Sequence, residues 1–302
     1  KGFGEIDEGA PLTRDSRTRR RTGWVILRLV MREQDERLLT AAQAGDPRAL
    51  EELLERYQPL LMRFGLRMCG SREDAEDIVQ DSMLAAVRTL PEFRGDASVS
   101  TWLYTIARSF CIKKRRRSKF APKELESLDA GRRDLDALAA NDRSPEEGAL
   151  DRELDDAVQA AMMALEPGQR EILVLRDVEG LTAKEVASVT GLNVGAVKSK
   201  LHRARAALRR ALEPVVGEIT EVEGVGACPD IDELFSQSME GEIDAELCQR
   251  MMSHVEACPR CKRACTLLNS VLKTCQATPA PQVPRAVQAA VRRAVRLSSA
   301  EG

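Results

Sequence analysis

The sequence predicts an all-α protein built from small helical domains, and three observations support that prediction. Apolar residues recur at helical spacing in each patterned segment, whereas no segment shows the strict alternation that a half-buried strand requires. Aromatic residues make up 3% of the 302 residues, which argues against a large β-sandwich and against a binder that stacks single-stranded bases. At about 100–150 residues per domain, the length suits two or three domains.

The overall composition excludes several classes of function. Charged residues make up 31% of the chain but the net charge is −2, so affinity for nucleic acid has to come from local basic patches. Two histidines are too few for a His-rich catalytic metal centre or a multi-histidine proton relay. No apolar run reaches the ~18 residues of a transmembrane helix. The charged, mostly cysteine-poor sequence shows no export signal, so we expect a cytoplasmic protein with reduced thiols and no membrane partner.

The chain is expected to begin with a disordered arm over 1–34. We interpret Met31 as the natural start, because compact helical patterning begins just after it. The first helical domain spans 35–118. Asp46 followed by Pro47 indicates the start of a helix, and Pro59 should bend or divide that helix because it lacks the backbone donor.

Two further helices complete the first domain. Gly70 ends the preceding helix, and Ser71 begins one that runs to about Leu90. One face of this helix is apolar and predicted to be buried, through Ala75, Ile78, Val79, Ser82, Met83, Ala86, Val87 and Leu90. Its other face is acidic, through Glu73, Asp74, Glu76, Asp77 and Asp81. A third helix follows Ser98 and ends in the basic run 113–117.

A charged linker over 119–148 lacks periodicity and leads to a second helical domain over 149–213. Thr182 and Glu185 predict a capping box at the start of a short helix, and Gly191 ends that helix. A short capped helix, a glycine turn and a longer helix are typical of a helix-turn-helix.

The longer helix of this motif is basic. It is expected to start at Asn193 and to run through Leu212, with Pro214 as its stop. Between 194 and 212 it has no acidic residue and six basic ones: Lys198, Lys200, Arg203, Arg205, Arg209 and Arg210. The second helix of such a motif enters the major groove, with its N-terminal part at the base edges. A solvated basic helix in an ordinary bundle is the alternative that the pattern leaves open.

Five segments carry a family resemblance. They are DAEDIVQ (Asp74–Gln80), FRGDAS (Phe93–Ser98), TWLYTIAR (Thr101–Arg108), LEPGQREIL (Leu165–Leu173) and VKSKLHRAR (Val197–Arg205). In their order and spacing they resemble the extracytoplasmic-function sigma factors, with 35–118 as sigma region 2 and 149–213 as sigma region 4. The resemblance implies a dissociable subunit of bacterial RNA polymerase that recognises promoters.

The same resemblance implies three sets of site residues. The acidic helix would bind the beta-prime clamp of core RNA polymerase, through Asp74, Glu76, Asp77, Ile78 and Gln80. The segment 93–108 would meet and help open the −10 element of promoter DNA, through Phe93, Arg94, Trp102, Tyr104 and Arg108. The basic helix would lie at the −35 element, through Lys198, Ser199, Lys200, His202, Arg203 and Arg205. Lys200 stands where arginine is frequent, and lysine lacks arginine's planar fork, so the family's base preference there does not carry over.

After a linker over 214–227, a cysteine-rich unit spans 228–275. His254, Cys258 and Cys261 form the pattern H-x3-C-x2-C, and three ligands of these types this close together suit a tetrahedral zinc site. Cys228 would return as the fourth ligand. The unit resembles the zinc-binding domain of anti-sigma factors. Buried or free thiols without a metal are the alternative.

Three further thiols, Cys248, Cys265 and Cys275, exceed a four-ligand site. They are either small apolar residues of a helical core or members of a thiolate-rich sensor for copper(I), cadmium or zinc, as in the similar sigma factors of the CorE type. The segment 276–302 predicts a Pro-rich spacer and a basic amphipathic tail helix, Arg285 to about Leu297, to which no role is assigned.

We therefore predict a sigma factor without catalytic residues, whose cysteine-rich domain contacts the sigma domains of its own chain and responds to metal or thiol state. The alternative is a metal- or redox-sensing DNA-binding repressor or activator that does not join polymerase. The acidic helix and the segment 93–108 argue against that alternative. A metal-dependent enzyme acting on nucleic acid is disfavoured, because one His and three Cys leave no position for water.

Overall fold

The computed structural model describes residues 32–120, 156–216, 231–277 and 281–300. Within these ranges every regular element is helical, which confirms the all-α prediction. Most of the predicted arm, Met31, the central parts of both linkers and Cys228 lie outside the described residues. None of the helices in the described ranges is long and apolar enough to cross a membrane.

The first bundle contains four helices and a 3₁₀ turn: α1 (32–43), α2 (Pro47–Cys69), α3 (Arg72–Thr89), the turn Leu90–Glu92, and α4 (Val99–Phe120). Local caps set the helix ends. The Asp46 side chain accepts from the Arg48 N–H at 2.9 Å, and Gly70, at φ 75°, ends α2. The Ser71 side chain accepts from the Asp74 N–H at 3.4 Å and starts α3.

Helix α2 is not divided at Pro59, which corrects that part of the prediction. The helix is continuous for 23 residues with Pro59 inside it. Leu54, Leu61 and Met62 lie on either side of the proline and are fully buried. The missing N–H costs one helical hydrogen bond, but tertiary burial of this face stabilises the helix through the proline.

The second bundle contains α5 (156–164), α6 (Pro167–Leu173), which continues into a π-helical turn (Val174–Val178), α7 (Ala183–Thr190) and α8 (Val194–Val216). The capping box of Thr182 and Glu185 is present in both directions, and Gly191, at φ 73°, ends α7. The Asn193 side chain caps α8 by accepting from the Ala196 N–H at 2.8 Å. The helix-turn-helix therefore has the predicted caps.

Helix α8 extends beyond Leu212 to Val216, so Pro214 does not stop it where the sequence predicts. A proline ring fixes φ near the helical value, and its missing N–H removes only one bond in the last turn. The apolar side of α8 is buried as expected, through Val197, Leu201, Ala204 and Leu208.

The cysteine-rich unit contains α9 (Ile231–Glu240), α10 (Ala245–Ala257) and α11 (Pro259–Ala277), and the tail forms α12 (Arg285–Ala300). These parts pack onto the first two bundles. Helices α9 and α11 contact α8, and α12 lies against α3 and α2. Helix α7 packs on α4, so the second bundle also contacts the first. The intramolecular contact between the cysteine-rich domain and the sigma-like bundles is thus present in the structure.

Candidate nucleic-acid interface and metal centre

The basic residues of α8 do not all face solvent. Arg203 and Arg210 are exposed, and Lys200 is half-buried beside Gly168, where an added Cβ would lie 3.2 Å from Lys200 Nζ. Lys198 forms an ion pair with Glu242 of the cysteine-rich unit. Arg205 is only 1% exposed. The sequence predicts that the basic side chains of α8 form one surface. In the structure some of them face solvent and others face the cysteine-rich domain.

Arg205 is the centre of a buried polar cluster. Its guanidinium donates to both carboxylate oxygens of Asp177, at 2.8 and 2.6 Å, and to the Ser236 hydroxyl at 2.8 Å. Its Nη2 also donates to Glu240 Oε1 at 3.0 Å, and Arg176 donates to the other Glu240 oxygen at 2.9 Å. The arrangement satisfies a charge that would otherwise be costly to bury. We remove Arg205 from the predicted DNA contacts of this form, because burial and ion pairing turn it inward.

The electrostatics of this cluster favour the ionised forms of Arg205 and Glu240. Burial alone lowers the pKa of Arg205, but Asp177 and Glu240 outweigh it and raise that pKa. Burial alone raises the pKa of Glu240, but Arg176 and Arg205 outweigh it and lower that pKa below its ordinary value. Arg205 and Glu240 are therefore both charged at neutral pH.

The segment predicted for the −10 element forms a cleft with an aromatic wall. The rings of Phe93 and Trp102 stack with centroids 4.7 Å apart, and both side chains are half-buried. The cleft has a volume of about 370 Å³, with Arg94 and Asp96 in its lining. Ser188 of α7 also lines it, so the helix-turn-helix domain borders the cleft.

Tyr104 and Arg108 point toward the second bundle rather than into this cleft. Tyr104 is 2% exposed, and its hydroxyl donates to Glu179 at 2.7 Å. Arg63 also donates to Glu179, at 2.6 and 2.9 Å. Burial, and then Glu179, raise the pKa of Tyr104 well above its ordinary value. We remove Tyr104 from the predicted DNA contacts, because it is a core residue hydrogen-bonded across the two bundles.

Arg108 pairs with Glu171 of α6, Nε to Oε1 at 2.5 Å. This bond, like that of Tyr104, joins α4 to the second bundle. In the described form the Arg108 guanidinium is thus engaged by protein instead of being presented to DNA.

The acidic face of α3 carries internal ion pairs. Lys114 of α4 bonds Asp74 at 2.7 Å and Asp77 at 2.5 Å, and Glu76 pairs with Arg72 at 2.9 Å. Gln80 is half-buried. Ile78 is 1% exposed, so it belongs to the hydrophobic core. We therefore remove Ile78 from the predicted polymerase contacts.

The tail helix α12 covers part of the first bundle. Its apolar stripe, Val287, Val291 and Val295, is buried. Arg292 on its flank pairs with Glu51 at 3.0 Å and with Glu55 at 2.6 Å. The sequence predicted the amphipathic helix but not the surface that it covers.

Sequence analysis also missed the acidic partners of the inward-turned cations: Asp177, Glu179, Glu240 and Glu242. Of these residues, Asp177 gives the clearest indication of a buried ion pair, since it lies in an apolar run and is 4% exposed. A carboxylate at such a position needs a buried cation, and that cation comes from a different helix.

The metal-ligand group consists of His254, Cys258 and Cys261, whose ligand atoms all lie within 4.8 Å of one another. His254 is in the last turn of α10, Cys258 ends that helix, and Cys261 is in the first turn of α11. His254 Nε2 lies 3.2 Å from Cys261 Sγ. Cys258 and Cys261 are buried at 1% and 2% exposure. One imidazole and two thiolates converging in this way fit zinc.

The extra thiols do not join this group within the described residues. Cys265 and Cys275 are buried in the helical core, and Cys248 is half-buried. The burial of Cys265 and Cys275 agrees with their interpretation as small core residues. The fourth predicted ligand, Cys228, lies outside the described residues.

Comparison with known families assigns the three parts of the chain. Residues 53–120 match sigma-70 region 2, residues 155–208 match sigma-70 region 4, and residues 228–262 match a zinc-finger family. The matches follow the order of the two helical bundles and the cysteine-rich unit.

Curated relatives give the same assignment. The RNA polymerase sigma-H factor of Pseudomonas aeruginosa is 32% identical over 194 residues, which are 63% of this chain and 100% of that protein. The ECF RNA polymerase sigma factor SigM of Mycobacterium tuberculosis is 37% identical over 179 residues, 59% of this chain and 84% of that protein. The solved structure of the sigma factor RpoE with the anti-sigma factor NepR from Bartonella quintana is similar at 23% identity and a TM-score of 0.40, over 54% of this chain and 95% of that one. The chain, matched along the whole length of a curated sigma factor, belongs to the extracytoplasmic-function family of RNA polymerase sigma factors.

Proposed function

We propose that this sigma factor directs promoter-specific initiation in an open form and that its own residues 231–300 hold it in a closed, inactive form. In the open form α3 binds the clamp of core polymerase, the 93–102 cleft meets the −10 element, and α8 meets the −35 element. The observation that carries the proposal is the packing of α12 against α3 and α2. Because α12 lies on the helix assigned to polymerase, we expect α12 and polymerase to compete for the first bundle.

A second contact supports the closed form at α8. Glu240 and Glu242 of the cysteine-rich unit form ion pairs with Arg205 and Lys198, respectively. Both cations lie on the helix assigned to the −35 element, and phosphate binding depends on free lysine and arginine. The carboxylates that pair with these two cations would therefore compete with DNA phosphates for them.

A third contact supports closure at the −10 cleft. Helix α7 packs on α4, and Ser188 lines the cleft of Phe93 and Trp102. Opening a promoter needs a base that leaves the stack, at a cost of a few kcal/mol, and a pocket that accepts it. A neighbouring domain at the mouth of that pocket restricts entry, so separation of the two bundles favours DNA capture.

The metal group supplies the sensitivity of the closed form. Zinc held by His254, Cys258 and Cys261 would cross-link the end of α10 to the start of α11. Helix α11 packs on α8, and α9 packs on both α10 and α11. Loss of the metal or oxidation of a ligand thiol would therefore loosen the surface that holds Arg205 and Lys198.

The experiment compares Val291→Asp with Ala289→Asp. Val291 is 1% exposed against the first bundle, whereas Ala289 is exposed on the same helix. Both variants add one carboxylate, but only Val291→Asp buries it without a partner. We expect Val291→Asp to bind core polymerase at least about tenfold more tightly and to raise run-off transcription from the promoter upstream of its own gene.

The outcomes separate three interpretations. Native and Ala289→Asp proteins that bind polymerase as tightly as Val291→Asp would overturn the closed form. Binding of promoter DNA by Val291→Asp without any association with core polymerase would favour the repressor or activator alternative. Circular dichroism checks that Val291→Asp keeps its helical content, and Val287→Asp provides a second variant on the same stripe.

A further inference from the structure

The π-helical turn Val174–Val178 carries two charged residues that bond toward the cysteine-rich domain. Arg176 donates from Nε and Nη2 to Glu240 of α9, at 3.1 and 2.9 Å. Asp177 accepts two bonds from Arg205 of α8, and the same guanidinium also donates to Glu240. Helix α11 packs on the turn as well. One side of the turn is thus bonded to the cysteine-rich domain and to the helix on which that domain docks.

Glu179, the residue that follows the turn, bonds in the other direction. Its carboxylate accepts from Arg63 of α2, at 2.9 and 2.6 Å, and from the Tyr104 hydroxyl of α4 at 2.7 Å. The Glu179 side chain is 1% exposed, so loss of these partners would leave a buried carboxylate without compensation. Helix α2 also packs on the turn. The other side of the turn is thus bonded to the first bundle.

The backbone of the turn is wider than that of an α-helix. The Glu179 N–H bonds the Val174 carbonyl five residues back, at 2.9 Å, where an α-helix would bond the carbonyl four residues back. One residue corresponds to a rotation of about 100° around a helix axis, so the direction in which Glu179 points depends on the turn keeping this form. Because π-helical turns are rare and frequent at functional sites, we attribute the persistence of this one to the bonds on its two sides.

The turn also positions α7. The Leu181 N–H bonds the Leu175 carbonyl at 3.0 Å, immediately before the capping box that starts α7. Leu175 and Leu181 are buried, so the turn and the start of α7 are packed as one unit. Ser188 of α7 lines the cleft of Phe93 and Trp102. A change in the form of the turn would therefore move one wall of that cleft.

We propose that this turn couples docking of the cysteine-rich domain to closure of the first bundle on the second. The proposal rests on the proposed function and adds the path by which undocking reaches the −10 cleft. Undocking removes Glu240 from Arg176 and Arg205, so the turn is no longer held on that side. The turn then relaxes toward the α-helical form, which withdraws Glu179 from its partners on α2 and α4. Linkage makes the effect reciprocal, so separation of the two bundles weakens docking by the same factor.

The two carboxylates at the ends of this path report on each other. Carbodiimide with glycine ethyl ester converts an accessible carboxylate to an amide, and mass spectrometry locates the added mass. In the full-length native protein we expect slow labelling of Glu179 and Glu240, whose side chains are 1% and 7% exposed. We expect Glu240→Gln to raise the labelling rate of Glu179 at least about fivefold, and Glu179→Gln to raise that of Glu240 by a similar factor. Glu246→Gln, an exposed change on α10, should leave both rates at the native value.

The outcomes separate the coupling from the closed form on which it rests. A rise in only one direction, or in neither, would overturn the coupling, even where Glu240→Gln raises run-off transcription. Rates that rise in both directions while transcription stays at the native level would support the coupling and reject the inhibitory role of the closed form. Arg176→Gln and Tyr104→Phe break the same two contacts from the partner side, with Glu179 and Glu240 as their respective readouts. The result therefore does not depend on a single variant that folds, and circular dichroism checks the helical content of each.

Discussion

Arg205 of α8 and Glu240 of α9 form an ion pair, Nη2 to Oε1 at 3.0 Å, with side chains that are 2% and 7% exposed. One residue belongs to the helix assigned to the −35 element, and the other belongs to the cysteine-rich domain. Asp177 and Arg176 extend the pair into a four-residue cluster. Undocking the cysteine-rich domain therefore leaves Arg205 with one carboxylate instead of two, which ties the free energy of docking to this cluster.

We expect Glu240→Gln to weaken docking of the cysteine-rich domain. Glutamine keeps the shape of the side chain but removes the charge that bonds Arg205 and Arg176, and hydrogen bonds to charged groups contribute about 1.5–3 kcal/mol. Small-angle scattering should show a larger radius of gyration, and run-off transcription should rise. Glu246→Gln is the matched control, since Glu246 is exposed on α10. Equal behaviour of the two variants would contradict the role of the cluster.

Acid should open the domain through the same carboxylate. The pKa of Glu240 is lowered in the docked form from the ordinary value of 4.5, because Arg176 and Arg205 outweigh the effect of burial. A lowered pKa contributes stability above the ordinary pKa, and this stability is lost as pH falls through the docked value. Scattering should thus show constant dimensions from neutral pH to about pH 5 and expansion below about pH 4.5. Glu240→Gln should lack the part of this transition that depends on Glu240.

Charge reversal at Arg292 should weaken the contact of α12 with the first bundle by a modest, salt-dependent amount. Arg292 is 45% exposed at the side chain, so solvent and salt screen its ion pairs and make their contribution small. We expect Arg292→Glu to raise affinity for core polymerase about twofold to fivefold, less at high salt. Arg293→Glu makes the same change in charge at an exposed residue without an ion pair among the described residues. Combining Arg292→Glu with Glu55→Arg should restore the native affinity, and failure to do so would argue against the pair.

Removal of a metal ligand should release zinc and loosen the closed form together. Native protein is expected to hold about one zinc per chain, and Cys258→Ser or Cys261→Ser close to none. Cys248→Ser is the control, because Cys248 is not part of the metal-ligand group. Elemental analysis and run-off transcription with a chelator titration give the two readouts. Zinc loss without a change in transcription would leave the metal a purely structural role.

Exposed basic residues of α8 should contribute to DNA binding only through phosphates. Arg203 is an exposed residue of the predicted −35 surface, and its Nε donates to the Ser199 carbonyl at 3.3 Å. We expect Arg203→Ala to weaken binding of every promoter sequence alike and to lower the salt dependence by about one phosphate contact. Lys273→Ala, an exposed change on α11, should have no effect. A change in sequence preference instead would assign Arg203 to base contacts.

The helix boundaries were predictable where the signal is local. Asp46, Gly70 and the Thr182–Glu185 box each satisfy backbone groups within a few residues, so the sequence carries the whole cause. The predicted break at Pro59 was wrong. The hydrogen bond lost at the proline can be read from the local sequence, whereas the tertiary burial that stabilises α2 cannot. Ile78 shows a conflict within the sequence: its place on the apolar stripe predicted burial, and family position predicted a polymerase contact. The structure confirms the stripe.

The inward-turned residues were not predictable, because their partners lie far along the chain. Arg205 meets Glu240 from 35 residues away, and Tyr104 meets Glu179 from 75 residues away. Helical periodicity shows which charged residues share one face of a helix, but it does not show which other part of the chain packs against that face. The metal group was predictable, because its three ligands fall within eight residues of sequence, 254–261.

Helix α12 belongs to the same chain as the surface that it covers. A separate inhibitor must be made in proportion to its target, and its occupancy changes with the concentrations of both proteins. A tethered segment is present at an effective concentration of about 1 mM, and this value does not depend on the total concentration of the protein in the cell. In the proposed closed form, the docked fraction of this sigma factor would therefore be set by an intramolecular equilibrium constant. The cell could then raise the number of active molecules by synthesis without changing the fraction of molecules that responds to a signal.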